Sequence, residues 1–224
     1  MRPLNKAHFA FQKPMSTAVA IYCDGGVGAG IEPGIGSRSQ IGGTYAWCIV
    51  DAAIEERRHD ATLCPDLKTK IRLFDPIAAS TEYVAWGCGY LTCQDLDTDS
   101  VTNNVTELCA ILIGCSMLGP NFKGMLYSDS SVSLQRALFD AKLQGVPEQL
   151  VKCLVDFKAG PRKRLRNNGW NLNGPDGLLD GHPTDTDLAL KKGKRGYPVS
   201  VHNRWCDYMC NIRKPDLAEY ARTL

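Results

Sequence analysis

Three short runs of strand-forming residues precede any helical period in this chain, and that order narrows the fold more than any other feature. Thr17 to Cys23 (TAVAIYC) is short and rich in β-formers, the pattern of a buried strand, and it ends in Asp24-Gly25-Gly26. A glycine-rich loop then runs to Gly43. Thr44 to Val50 (TYAWCIV) and Glu82 to Cys93 (EYVAWGCGYLTC) read as two further strands. With no strong helix signal between them, the three predict an antiparallel meander. The segment Asp51 to Ser80 carries Pro65 and Pro76 and is longer than a hairpin needs, so it is expected to be an insertion.

The period changes at Asn103. Val105, Leu108, Cys109, Leu112 and Ile113 recur at helical spacing behind a Thr102-Asn103 cap, and Gly119-Pro120 stops the run. Lys123 to Tyr127 predicts a short strand leading into Ser128-Asp129-Ser130, and Val132 to Leu143 and Pro147 to Phe157 predict helices. Strand, helix, strand, helix implies parallel pairing through right-handed crossovers. Trp170 to Asp180 is a weaker candidate for one more strand because of Gly174-Pro175, and Asn203 to Thr223 predicts a helix interrupted at Pro215. Met1 to Ser16 holds Pro3 and Pro14 and no sustained period, so residues 1–16 are expected to be a flexible arm. The folded domain is then 17–224, with insertions near 51–80 and 183–201. Its expected class is α/β, a mixed five-stranded sheet of three antiparallel strands followed by parallel ones, flanked by helices.

At 224 residues and 44% hydrophobic, the chain can bury one sizeable core. A net charge of +2 neither demands nor excludes a polyanionic partner, so local clusters must decide. The ten cysteines are expected to pack as small hydrophobes in a reduced, cytoplasmic setting, because no paired CxxC motif offers a zinc site and no signal peptide precedes them. No apolar run approaches the roughly 18 residues that span a bilayer, which predicts a soluble protein with no membrane partner.

Four acidic residues stand at informative places. Asp24 ends the first strand, Glu107 lies in the first turns of the first helix, Asp129 follows the fourth strand and Asp207 sits in the last helix. Singly, each could favour a helix dipole or form a turn. Jointly they mean more, because the carboxyl ends of two parallel neighbours lie side by side and would put Asp24 next to Asp129. Clustered carboxylates repel and raise each other's pKa, so such a group is expected where it holds cations, and all-oxygen ligands favour magnesium or manganese.

The motifs around these acids resemble those of the ribonuclease H family. Tyr22-Cys23-Asp24-Gly25-Gly26 followed by Gly43-Thr44-Tyr45-Ala46-Trp47 is similar to that family's first hairpin. Asn103-Asn104-Val105-Thr106-Glu107-Leu108 is similar to its NN-x-AE-L motif, with Thr106 in place of the usual alanine. Tyr127-Ser128-Asp129-Ser130 resembles its T/Y-D-S motif, and Gly181-His182 with Asn203-Arg204-Trp205-Cys206-Asp207 resembles its closing pair. The motifs keep the family order from Ile21 to Asp207.

This resemblance implies an RNase H-like fold and hydrolysis of the RNA strand of RNA/DNA hybrids by a monomer. Asp24, Glu107, Asp129 and Asp207 would hold two magnesium ions, with manganese as a substitute, about 3.5–4 Å apart. His182 would assist proton movement or product release. Asn103 and Asn104 would read the minor groove, where 2′-hydroxyls mark RNA, although Asn103 could instead cap its helix. Gly25, Gly26, Ser130 and Asn203 are expected among the substrate-binding residues. Two basic clusters, Arg162-Lys163-Arg164 with Arg166, and Lys191-Lys192 with Lys194-Arg195, are candidate phosphate contacts, with Trp170 available for stacking.

The chain departs from the family in its longer loop between His182 and Asn203, which puts the reach of His182 in question. Proofreading-type exonucleases of the same fold carry D-x-E on the first strand, whereas Asp24 is followed by Gly25-Gly26. Resolvases and integrases remain an alternative, as does a binding module without catalysis, which would have little reason to keep four repelling carboxylates.

Overall fold

The structure, a computed structural model, describes residues 7–27, 38–65, 75–165, 170–171 and 174–223. Five strands form the main sheet: β1 (Ala7–Phe11), β2 (Ala18–Val27), β3 (Gly42–Asp51), β4 (Ala85–Thr92) and β5 (Met125–Tyr127). They lie in the order β1-β4-β3-β2-β5. β2, β3 and β4 form the antiparallel meander, and β5 runs parallel to β2. The class is therefore the expected one, an α/β fold on a mixed five-stranded sheet flanked by helices.

Three details of the sheet differ from expectation. The fifth strand comes from the N-terminus: Ala7–Phe11 pairs antiparallel with β4, so this part of the 1–16 segment is not a flexible arm. The reason is that β4 would otherwise present an open edge of unpaired backbone groups. Lys13 fastens the following turn through a 2.6 Å ion pair with Asp51. Secondly, Trp170–Asn171 pairs only with Gly174–Pro175, and the parallel neighbour beyond β5 shrinks to one bridge between Ser128 and Leu178. Thirdly, Asp24-Gly25-Gly26 is not a turn after the strand. β2 continues through it to Val27, paired with β3 as far as Gly43.

Seven helices flank the sheet among the described residues: α1 (Ala52–Glu56), α2 (Pro76–Ala79), α3 (Asn103–Ser116), α4 (Ser131–Leu138), α5 (Glu148–Ala159), α6 (Asp185–Leu190) and α7 (Val201–Ala221). Strand alternation divides the core. Ile21, Cys23, Tyr45, Trp47 and Ile49 bury one face together with Leu108 and Ile111 of α3, while Tyr22, Ala46, Cys48 and Val50 bury the other with Trp205, Cys206 and Met209 of α7. α4 stops at Leu138, short of the expected Leu143, where Phe139 turns extended and gives its carbonyl to Lys158 Nζ at 2.9 Å. All ten cysteines are free and only Cys153 is exposed, in keeping with a packing role.

The two segments expected to be insertions are both tied into the fold. Backbone carbonyls of the first receive the opening turns of α7. Val201 N donates to Arg58 O (2.7 Å), His202 Nε2 meets Ile54 O (3.1 Å), Trp205 Nε1 donates to Pro76 O (3.2 Å), and the Arg204 guanidinium donates to Cys64 O. The loop after His182 is tied down as well. A capping box of Thr184 and Asp187 starts α6, and Arg195 bonds the buried Asp180 through its backbone N (2.6 Å) and its Nε (3.0 Å).

Candidate metal centre

Three carboxylates meet where β5 ends beside the later half of β2. Asp24 is on β2, Asp129 follows β5 after Ser128, and Glu107 comes from the first turns of α3. One oxygen of each lies within 4.8 Å of the others. Close approach of α3 to the strand makes this meeting achievable. A Cβ on Gly25 would stand 2.4 Å from the backbone nitrogen of Glu107, so only glycine lets the helix backbone close on β2. Gly43 on the neighbouring strand makes room for Thr106 in the same way, since a Cβ there would stand 2.1 Å from Thr106 Cγ2. Thr106 is thus housed by a glycine opposite.

Burial governs the electrostatics. It raises the Asp24 pKa well above the usual carboxylate range, helped by the charges of Asp129, Asp207 and Glu107 and opposed by the Gly25 N–H, which donates to Asp24 Oδ1 at 2.7 Å. Glu107 is pushed up to about 7, again chiefly by burial, although Asn103 Nδ2 donates to its Oε1 at 2.7 Å and Ser133 Oγ to its Oε2 at 3.4 Å. Burial raises Asp129 too, while the nearby charges of His182 and Arg195 pull it down. Asp129 Oδ1 is buried with no hydrogen-bond partner. A cation would supply what this arrangement lacks, neutralising the repelling charges and meeting the bare oxygen.

Asp207, on α7, is not one of the three, yet its charge raises both Asp24 and Asp129. His182 Nδ1 lies 3.2 Å from Asp207 Oδ2, so the long loop does bring this histidine to the acids. Gly181 precedes it because a Cβ there would stand 2.5 Å from Asp129 Oδ2. The bond to Asp207 holds the His182 pKa above its ordinary value against the opposing effect of burial.

Several expected substrate contacts are reassigned. Gly25 is buried beneath α3 and serves packing. Ser130 is buried, caps α4 by accepting from Ser133 N at 3.2 Å, and supports Glu107. Asn203 is fully buried in α7, with both amide atoms unpartnered, so it does not face substrate. Thr102, not Asn103, is the N-cap of α3, and Asn103 turns its amide to Glu107. Asn104 and Gly26 remain accessible.

Arg162, Lys163 and Arg164 do not join the centre. They follow α5, where Arg162 pairs with Asp140 at 3.5 Å and Arg164 acts on Cys115. Cys115 is at the far end of α3, and eight residues of helix separate it from Glu107, about 12 Å at the α-helical rise. Arg166 and the side chain of Trp170 lie outside the described residues. Of the second basic cluster, Arg195 stands close enough for its charge to act on Asp129.

Sequence reasoning missed Asn211 and Lys214. Asn211 Nδ2 donates to Asp207 Oδ1 at 3.1 Å, and Lys214 Nζ donates to Asn211 Oδ1 at 2.8 Å. Their i+4 and i+7 spacing from Asp207 was the available signal.

Fold and site together define an α/β protein with a buried acidic centre placed to hold a metal ion. Among solved structures, the chain is similar to the N-terminal RNase H domain of Rv2228c from Mycobacterium tuberculosis, determined as a fusion with maltose binding protein. The likeness has a TM-score of 0.44 and 14% identity, over 91% of this chain and 99% of that one. No protein-family model and no curated protein sequence matches the chain. Among the described residues, no helix is long and apolar enough to cross a membrane.

Proposed function

We propose that the protein is a metal-dependent endonuclease of the ribonuclease H type, hydrolysing the RNA strand of RNA/DNA hybrids. The observation that carries this reading is the convergence of Asp24, Glu107 and Asp129, with Asp129 Oδ1 buried and unpartnered. The donor set is all oxygen and anionic, which suits magnesium or manganese, and Asp207 would complete it. Two such ions supply Lewis acidity and an activated water at a phosphodiester.

The chain's own groups do the rest. Asn103 and Ser133 fix the two oxygens of Glu107, so the carboxylate cannot turn from its neighbours. His182, exposed on its loop, holds a proton at Nδ1 beside Asp207 and delivers it to the 3′ oxygen as the phosphorus–oxygen bond breaks, leaving a 3′-hydroxyl and a 5′-phosphate. Asn104, exposed at the start of α3, faces the groove that displays 2′-hydroxyls.

The test is cleavage of an end-labelled RNA strand in an RNA/DNA hybrid with magnesium, beside single-stranded RNA, duplex DNA, a four-way DNA junction and the Asp129→Asn variant. Cutting confined to the hybrid and abolished by Asp129→Asn is the expected result. Junction cutting would instead favour a resolvase, and hybrid binding without turnover in either metal would favour a binding module.

A further inference from the structure

The polar stripe on α7 continues past the acids. Asp207, Asn211 and Lys214 share one helix face, and the bonds between them fix the amide's orientation, its NH2 toward the carboxylate and its oxygen toward the ammonium. The Lys214 stem crosses Gly26 at the end of β2. A Cβ on Gly26 would lie 3.6 Å from Lys214 Cε and 3.9 Å from Nζ, so the strand's side chain-free position is where the lysine rests. This puts the ammonium two residues along β2 from Asp24, and its charge reaches His182, whose pKa it lowers.

A cation beside a group of carboxylates would ordinarily pair with one of them. Among the described residues, the bonding partner of Lys214 is a neutral amide. An ammonium offers three donors, and this bond uses one, which leaves it able to take an external anion without breaking an ion pair. Lys214 is only half-buried, and Asn211 is exposed, so an approaching chain can reach both.

We propose that Asn211 and Lys214 form a binding site for a non-bridging phosphodiester oxygen of nucleic acid, taking a phosphate next to the one cleaved. The inference rests on the nuclease reading above and adds a contact that sets the register of the strand on the centre. The acids repel a polyanion, and a cation fixed at their margin offsets that repulsion where the backbone enters. Lysine suits the task because it binds phosphate as a point charge and tolerates either phosphate oxygen.

The test measures equilibrium binding of a fluorescently labelled RNA/DNA hybrid to the full-length Asp129→Asn protein across a salt series with magnesium. Adding Lys214→Gln should weaken binding about tenfold and reduce the slope of log K against log salt by about 1, the change for one lost phosphate contact. Lys214→Arg should restore both, which separates loss of charge from loss of fold. An unchanged affinity and slope in Lys214→Gln, in a parent that binds, would overturn this inference and leave the nuclease reading standing. A parent that binds no nucleic acid would overturn both.

Discussion

His182 Nδ1 stands 3.2 Å from Asp207 Oδ2, joining an exposed loop to α7 beside the acidic centre. His182 has a left-handed backbone, φ +50°, and Gly181 before it leaves no side chain against Asp129, so the loop turns sharply just where the imidazole must swing in. The histidine thus reaches the acids from a segment that Asp180 and Arg195 hold from below.

Replacing His182 with alanine should therefore lower turnover on hybrid by about 100-fold, the usual size of a lost proton-transfer group, with little change in KM. Steady-state kinetics check this. A change confined to KM would mean that His182 grips substrate.

Metal removal should read out the repulsion among the acids. In chelator, Asp24→Asn should melt higher than the parent, by a few degrees, because one buried like charge is gone. Adding magnesium should raise the parent's melting temperature and barely move that of Asp24→Asn. Calorimetry or dye-based melts check both arms, and equal magnesium shifts in the two proteins would count against Asp24 as a ligand.

Gly25→Ala should cost several kcal/mol of stability and abolish cleavage, since its Cβ would strike the backbone of Thr106 and Glu107 rather than a flexible side chain. Denaturant unfolding measures the loss. A cost below about 1 kcal/mol would show that α3 can retreat from β2.

Acid should expose the role of His202. Burial pushes this histidine down to about 3, and it stays neutral between the Tyr83 hydroxyl and the Ile54 carbonyl. Its folded pKa is depressed below the unfolded value near 6.5, so its contribution is present above pH 6.5 and is lost as pH falls toward about 3. Glu107 works the other way in the metal-free protein. Raised to about 7, it stabilises below its unfolded value near 4.5 and loses that as pH rises. The two oppose each other in one window, so the parent's own profile mixes them. The stability gap between parent and His202→Gln isolates the histidine, and it should narrow by a few kcal/mol as pH falls from 6.5 toward 3.

The meander and the acids were legible in the sequence for a local reason. Strand pattern, helical period and the order of Asp24, Glu107 and Asp129 are all written in short stretches of chain. β1 was not, because Ala7–Phe11 lies at a sheet edge with Phe9 and Phe11 both exposed and shows no buried alternation. Exposure was equally illegible. Asn203 and Ser130 look like surface polar residues in sequence and are buried in the fold. Arg162, Lys163 and Arg164 lie away from the acids, and the sequence did not show this because a basic run does not say which end of α3 it will meet. Lys214 reads in sequence as one more charge on a helix, and only the fold sets its stem over Gly26.

The seat of α7 is written almost wholly in main chain. Ile54, Arg58, Cys64 and Pro76 each offer a carbonyl oxygen, a group that every amino acid carries. The bonds themselves therefore ask nothing of side-chain identity, whereas gaining or losing a residue between Ile54 and Cys64 would shift the acceptors that follow it out of step with the helix. This stretch should accordingly tolerate substitution at an exposed position such as Glu56 better than a change in length, while Ile54, Leu63 and Cys64 stay bound to the core they fill.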